Sequence, residues 1–287
     1  MKDILQKIRK IEIKTKKLSD HIFSGAYHTS FKGKGMSFSE VRQYQFGDDV
    51  RAIDWNVTAR YNEPFVKVFE EERELTVMLI VDISQSLDFG SSDDFKREKL
   101  TEIAATLAFA AIKNNDKIGL ILFSDNIELF VPPKKGKAHV LRIIRELLVF
   151  QPKSKGTNIP LALDYFQKII KKKAVVFMLS DFMDDISSFE KPLRIVAKKH
   201  DFTAIKINDI REKELTNIGW VWMQDAESDE GKYVNTADLQ LQREILIQFE
   251  EQNAQFKQLF SSVGAGSLQL FTHENYVKKL LSYFKAR

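Results

Sequence analysis

Val77-Met78-Leu79-Ile80-Val81 runs directly into Asp82-Ile83-Ser84-Gln85-Ser86. The apolar, β-branched run reads as a strand buried on both faces. One carboxylate and two hydroxyls then follow at alternate positions, just past its carboxyl end. Open α/β sheets place their ligand sites there. Oxygen-only donors at this spacing suit a hard cation such as Mg2+. Two later segments can complete the site. Gly156-Thr157-Asn158 offers a third hydroxyl, and Leu179-Ser180-Asp181 puts a second carboxylate at the end of another apolar run, 174–179. The bland alternative for the first motif alone is that Ser84 or Ser86 merely starts the next helix, since Asp and Ser are common turn and cap residues.

Outward from this stretch the chain alternates strand and helix. A helix is expected over 94–114, with Leu100, Ile103, Leu107 and Ala111 on one apolar face. Two short strands, 118–123 and 127–131, flank Ser124-Asp125-Asn126 as a hairpin, and Pro132-Pro133 is expected to break the second. Helices follow over 137–149 and 159–170, a strand over 174–179, a helix over 187–199 and a strand over 202–207. Trp220–Met223 and Lys232–Val234 look like an added pair of edge strands. A long helix over 237–259, capped by Thr236, a strand over 267–271 and a helix over 276–284 close the chain. This alternation predicts an α/β fold: a doubly wound, mainly parallel sheet with helices on both faces.

The first 74 residues differ in character and are expected to form an N-terminal elaboration, 1–74, packed on a main domain, 75–287. Ile4, Ile8, Ile11, Leu18 and Ile22 fall at helical spacing among Lys7, Lys10, Lys14 and Lys17. Residues 24–35 read as loop or irregular strand, 38–46 as extended, Gly47-Asp48-Asp49 as a turn and 65–69 as a strand.

Composition bounds the function classes. The chain has 287 residues, a hydrophobic fraction of 44% and a net charge of +4, too small on this length to point to nucleic acid. It contains no cysteine, which removes disulfides and thiolate chemistry. No segment approaches the ~18 consecutive apolar residues of a membrane span. A cytoplasmic protein is the expectation. The basic amphipathic segment at 4–22 leaves a peripheral membrane scaffold as an alternative, weaker than packing of that segment on the protein body.

The set Asp82, Ser84, Ser86, Thr157 and Asp181 resembles the metal-ion-dependent adhesion site of von Willebrand factor A domains. The resemblance implies that both Ser and the Thr ligate Mg2+ (with Mn2+ or Ca2+ as alternatives) through hydroxyls. The two Asp would act largely through bound water, leaving one position open for an acidic side chain of a partner protein. Upstream, Gly33-Lys34-Gly35, Arg42-Gln43-Tyr44 and Gly47-Asp48-Asp49-Val50-Arg51-Ala52-Ile53-Asp54-Trp55 resemble the signature of a prokaryotic family, domain of unknown function fifty-eight. That resemblance covers about 20–285 and implies a von Willebrand A-like domain serving a MoxR-type AAA+ ATPase as adaptor or co-chaperone. Within the signature, Arg42 and Arg51 are expected to pair internally with Asp48, Asp49 or Asp54, with Trp55 as a core anchor. The alternative is that Arg42, Asp48, Asp49, Arg51 and Asp54 form a second partner surface.

Enzyme readings fare worse. The five His are scattered, no Gly-x-Ser-x-Gly elbow is present and no phosphate-binding P-loop occurs. A Mg2+-dependent phosphatase using Asp82 is the serious alternative, but resemblance to haloacid-dehalogenase-type enzymes would imply a second Asp two residues on, where this chain has Ser84, whose hydroxyl cannot replace an acid/base carboxyl. The chain is expected to be a non-enzymatic, metal-dependent protein-binding module.

Overall fold

The computed structural model describes residues 37–70, 74–88, 96–224 and 231–287. The expected helix at 4–22 and loop at 24–35 lie outside these residues. The rest falls into two compact units that divide between Leu75 and Thr76.

The smaller unit is built on an antiparallel pair, β1 (Ser37–Gln43) and β2 (Phe65–Glu70), with a register shift between Phe38 and Glu40. Between them the chain makes a turn at Gly47, whose φ of 108° suits glycine, and a short 3-10 turn at Val50–Ala52. Helix α1 (Trp55–Tyr61) follows. The sequence reading missed it, because seven residues carry too little periodicity to register. Asp54 starts α1 by accepting hydrogen bonds from the backbone N–H of Asn56 and Val57, and Asn62 ends it in the left-handed conformation. Trp55 is 68% exposed, which corrects its reading as a core anchor. As the first residue of α1 it projects from the helix start.

The larger unit is a six-stranded sheet in the order β10-β7-β6-β3-β4-β5. Its strands are β3 (Thr76–Asp82), β4 (Lys117–Phe123), β5 (Ile127–Lys134), β6 (Val175–Ser180), β7 (Asp201–Asn208) and β10 (Gly266–Phe271). All neighbours are parallel except β4 and β5, which form the expected hairpin. Strand β3 is the centre, and Val77–Val81 is buried throughout, as an apolar run covered on both faces must be.

Successive side chains point to opposite faces. On one face Met78, Ile80, Ile121, Phe123, Val176, Met178, Phe202 and Ala204 form a continuous core. Helices α4 (Ile159–Ile169), α5 (Ile186–Lys199) and α7 (Leu239–Ser262) supply the matching layer, including Phe166, Phe189, Phe256 and Phe260. The opposite face is covered by α2 (Lys96–Lys113), α3 (Lys137–Val149) and α8 (Tyr276–Ala286), with Phe177 of β6 meeting Phe284 of α8 edge-on at 6.0 Å. The predicted apolar face of α2, Leu100, Ile103, Leu107 and Ala111, is buried. A one-turn helix, α6 (Ile210–Lys213), follows β7. The doubly wound α/β fold read from the sequence is the fold observed.

Three local expectations need correction. Strand β5 runs through Pro132 and Pro133 to Lys134 instead of stopping before them. It is an edge strand, where a missing N–H costs least. The pair β8 (Trp220–Gln224) and β9 (Gly231–Asn235) is a separate antiparallel ribbon and not an extension of the main sheet. The cap of α7 is Asp238, which accepts from Gln240 and Leu241, while the Thr236 hydroxyl donates to the Gly219 carbonyl. A carboxylate two residues nearer the helix outcompetes the hydroxyl for its free N–H groups.

Candidate functional site

β3 and β6 are parallel neighbours, with Val81 beside Leu179. From β3 the chain winds through β4 and β5 to one edge. From β6 it winds through β7 and β10 to the other. The boundary between β3 and β6 is therefore the switch point of the sheet, where a crevice opens at the carboxyl ends. Asp82 ends β3, and Asp181 follows the last residue of β6. Both carboxylates stand in that crevice and both are buried.

The backbone after Asp82 folds back on its side chain. Asp82 Oδ1 accepts from the Ser84 N–H at 2.9 Å, and Oδ2 accepts from the Ser180 hydroxyl at 2.6 Å. This tight turn places the hydroxyls of Ser84 and Ser86 3.0 Å apart. Ser84 is buried and Ser86 is half-buried. The loop carrying Thr157 is anchored beside them, since Gln85 N–H donates to the Lys155 carbonyl at 3.0 Å and Asn158 N–H donates to the Ser124 carbonyl at 2.9 Å. Thr157 is half-buried on that loop, and Asn158 caps α4 through the Leu161 N–H. Asp82, Ser84, Ser86 and Asp181 are thus gathered in one crevice, with the Thr157 loop fixed against the residue between the two serines.

Electrostatics sets the character of the crevice. Burial, and next the charge of Asp181, push the Asp82 carboxyl up to about 7, against the opposing hydrogen bonds from Ser180 and Ser84. Asp181 is held by Lys96, whose Nζ donates to Oδ2 at 3.2 Å, while its Oδ1 is buried without a hydrogen-bond partner. Lys96 also pairs with Glu212. Burial works against the Lys96 ammonium, yet Asp181 and Glu212 outweigh it and hold the group above its ordinary range. Asp184 accepts from the Ile159 N–H at 3.1 Å, and its carboxyl is raised by burial and by Asp181 and Asp185. Asp185 caps α5 through the Ser187 N–H.

Among the described residues no group of three His, Cys, Asp or Glu side chains could hold a metal ion. The donors offered here are two carboxylates and hydroxyls, which is hard-cation chemistry and not a zinc or iron set. The donor set fits such a cation in a specific way. Adjacent ligands on an octahedron with metal–oxygen distances of ~2.1 Å lie ~3.0 Å apart, which is the spacing of the two serine hydroxyls. The partnerless Oδ1 of Asp181 and the unfavourable charge on Asp82 both lack a countercharge that a cation would supply.

The smaller unit accounts for the upstream signature residues differently. Arg42 grips Asp48 with two hydrogen bonds of 2.8 Å, and Asp48 also accepts from the Gln45 N–H. Asp49 accepts from the Arg51 N–H, and Asp54 caps α1 with Lys67 3.4 Å away. The three carboxylates fix the local turns of this unit.

Residues 40–255 match the family described as protein of unknown function DUF58. The chain belongs to that family. An uncharacterized protein of Mycobacterium bovis is 32% identical to this DUF58 chain over 223 residues, covering 77% of the chain and 70% of the relative. YeaD of Bacillus subtilis is 30% identical over 111 residues, 39% of the chain and 26% of YeaD. Among solved structures, the hypothetical protein BatB of Bacteroides thetaiotaomicron aligns over 74% of the chain and 98% of its own, at 11% identity and a TM-score of 0.48. The SpRpn10 VWA domain aligns over 73% and 94%, at 11% identity and a TM-score of 0.43.

Four groups of the DUF58 crevice lie outside the set expected from the sequence: Lys96, Ser180, Asp184 and Glu212. Ser180 had a signal, since it stands directly before Asp181 at the end of the same strand. Asp184, in an acidic pair with Asp185 that looks like solvated loop charge, is half-buried and ties the loop after β6 to α4. Lys96 reaches Asp181 across 85 residues of sequence, and no spacing rule foretells such a contact. Among the described residues no helix is long and apolar enough to cross a membrane.

Proposed function

We propose that this DUF58 chain is a non-enzymatic protein-binding module whose binding site is centred on a bound Mg2+, with Mn2+ or Ca2+ as possible substitutes. The observation that carries the reading is the pair of hydroxyls 3.0 Å apart in the same crevice as two buried carboxylates, one of which keeps an oxygen without a partner. In this reading Ser84, Ser86 and Thr157 ligate the metal, while Asp82 and Asp181 hold its waters and balance its charge. When bound, the ion supplies a strong electrophile for an incoming carboxylate, because its ligands are mostly neutral oxygens. Ser180 and the Ser84 N–H orient Asp82, and Lys96 orients Asp181. The partner offers a Glu or Asp side chain to the open position, and we take that partner to be a MoxR-type AAA+ ATPase in the cytoplasm.

Isothermal titration of Mg2+ and Mn2+ into the chelator-treated chain tests this, beside the Asp82→Ala/Asp181→Ala double variant. Saturable binding by wild type alone is expected, followed by Mg2+-dependent capture of the ATPase. Binding of equal strength by both proteins, or by neither, would overturn the metal reading.

A further inference from the structure

Strand β7 changes character along one face. Phe202 and Ala204 belong to the core beneath α7, but the next two residues on that side are Lys206 and Asn208. Both are buried, at 2% and 1% exposure. They line a cavity of about 200 Å³ whose opposite wall is the α7 segment Ile245, Gln248, Phe249 and Gln252. The Asn208 Nδ2 has no hydrogen-bond partner. Lys206 Nζ lies 5.4 Å from the centre of the Phe256 ring, and among the described residues no carboxylate forms an ion pair with it. A second cavity, of about 170 Å³, also borders Lys206 and extends to Asp184 at the edge of the candidate metal crevice.

A buried ammonium that no carboxylate pairs directly and a buried amide donor without a hydrogen-bond partner are costly unless something supplies acceptors. Burial pushes the Lys206 ammonium down, and Glu212 and Asp181 only partly restore it. We propose that the cavity between β7 and α7 is a carboxylate subsite that takes a glutamate side chain of an acidic partner segment. One ammonium and one amide match a monoanion. The apolar stretch of wall from Ile245, Phe249 and Met183 suits the methylene stem of glutamate. Glu212 in the same wall, with Asp184 and Asp185 in the adjoining cavity, repels a phosphate dianion about twice as strongly as a single carboxylate. The source of the glutamate rests on the protein-binding reading above, whereas the pocket chemistry does not depend on the metal.

The test follows the Lys206 and Asn208 side-chain NMR signals of the full chain in EDTA, titrated with N-acetyl-glutamate amide. Saturable shifts are expected, with at least tenfold weaker binding of the glutamine analogue and at least tenfold weaker binding by Lys206→Met. Absence of saturable shifts, equal binding of the glutamine analogue, or tighter binding of inorganic phosphate would overturn the subsite. The analogue comparison uses wild type, so it holds even if the variant misfolds. A blocked acidic hexapeptide in Mg2+ should bind at least tenfold tighter than the single residue; equal affinity would overturn a partner segment as the source. Mg2+ calorimetry on the same sample reads the metal site separately, so failure of either site leaves the other measurable.

Discussion

Asp82→Asn should stabilise the metal-free protein. The amide keeps the size of the carboxylate, can accept from the Ser84 N–H at Oδ1, and can donate from Nδ2 to the Ser180 hydroxyl, which has a second lone pair free beside the Phe182 N–H. What it removes is a charge. Asp82 is raised from an ordinary 3.8 to about 7, so folding favours its protonated form. The contribution is fully favourable below 3.8 and is lost as pH rises through 7. At ~1.4 kcal/mol per pK unit, the variant should gain about 4 kcal/mol over wild type at pH 8 and about 2 kcal/mol at pH 5. Urea unfolding followed by far-ultraviolet circular dichroism in EDTA, at both pH values, measures the gap. Mg2+ at ~100 times its dissociation constant should then add about 2.7 kcal/mol to wild type alone and narrow the gap by that amount. A variant that is no more stable than wild type in EDTA at pH 8 would refute the electrostatic reasoning, and a gap independent of pH would do the same.

Other perturbations have equally definite outcomes. Lys96→Met leaves Asp181 buried without its cation and should cost roughly 3–5 kcal/mol in EDTA, with part of the loss recovered on adding Mg2+; calorimetric melts in the two buffers decide it. His200 is buried against Phe166, both ring nitrogens lack partners, and burial lowers its pKa to about 4. The unfolded chain therefore takes up the proton first, and stability from this group is lost as pH falls from 6.5 toward 4. Relative to His200→Leu, wild type should lose about 1 kcal/mol between pH 7.5 and 5.5, read from urea midpoints. A β-carbon at Gly119 would meet the Val131 carbonyl at 2.9 Å and the Pro133 nitrogen at 3.0 Å, both backbone atoms. Gly119→Ala should cost about 1–3 kcal/mol, and an unchanged melting temperature would show that β5 yields freely.

The parts of the fold that were legible are those whose signal lies in neighbouring residues. The run Val77–Val81 stays apolar because both faces of the strand are covered, and the carboxylate comes only at its last position, Asp82. The helix over Lys137–Val149 has an apolar face at Val140, Ile143, Ile144 and Leu147, and all four are buried. What was illegible depends on where distant segments arrive. Nothing near Pro132 says that β5 lies at an edge, and without that fact two prolines read as a stop. Thr236 and Asp238 are both good caps, and the choice turned on Thr236 being taken by Gly219, the residue before β8. The candidate site shows the same division. Its Asp and Ser residues sit in local motifs, whereas Lys96 arrives from the start of α2 and Glu212 from α6 after β7.

The prolines of β5 carry a further consequence. Consecutive strand residues aim their N–H groups to opposite sides, so Pro132 and Pro133 together remove one donor facing β4 and one facing outward. The Gly119 irregularity absorbs the first, where the register slips between Ile118 and Leu120. The second leaves a gap in the row of donors that a foreign strand would need to zip onto this margin. The sheet edge at β5 is therefore a poorer template for strand addition than an unbroken row of donors would be.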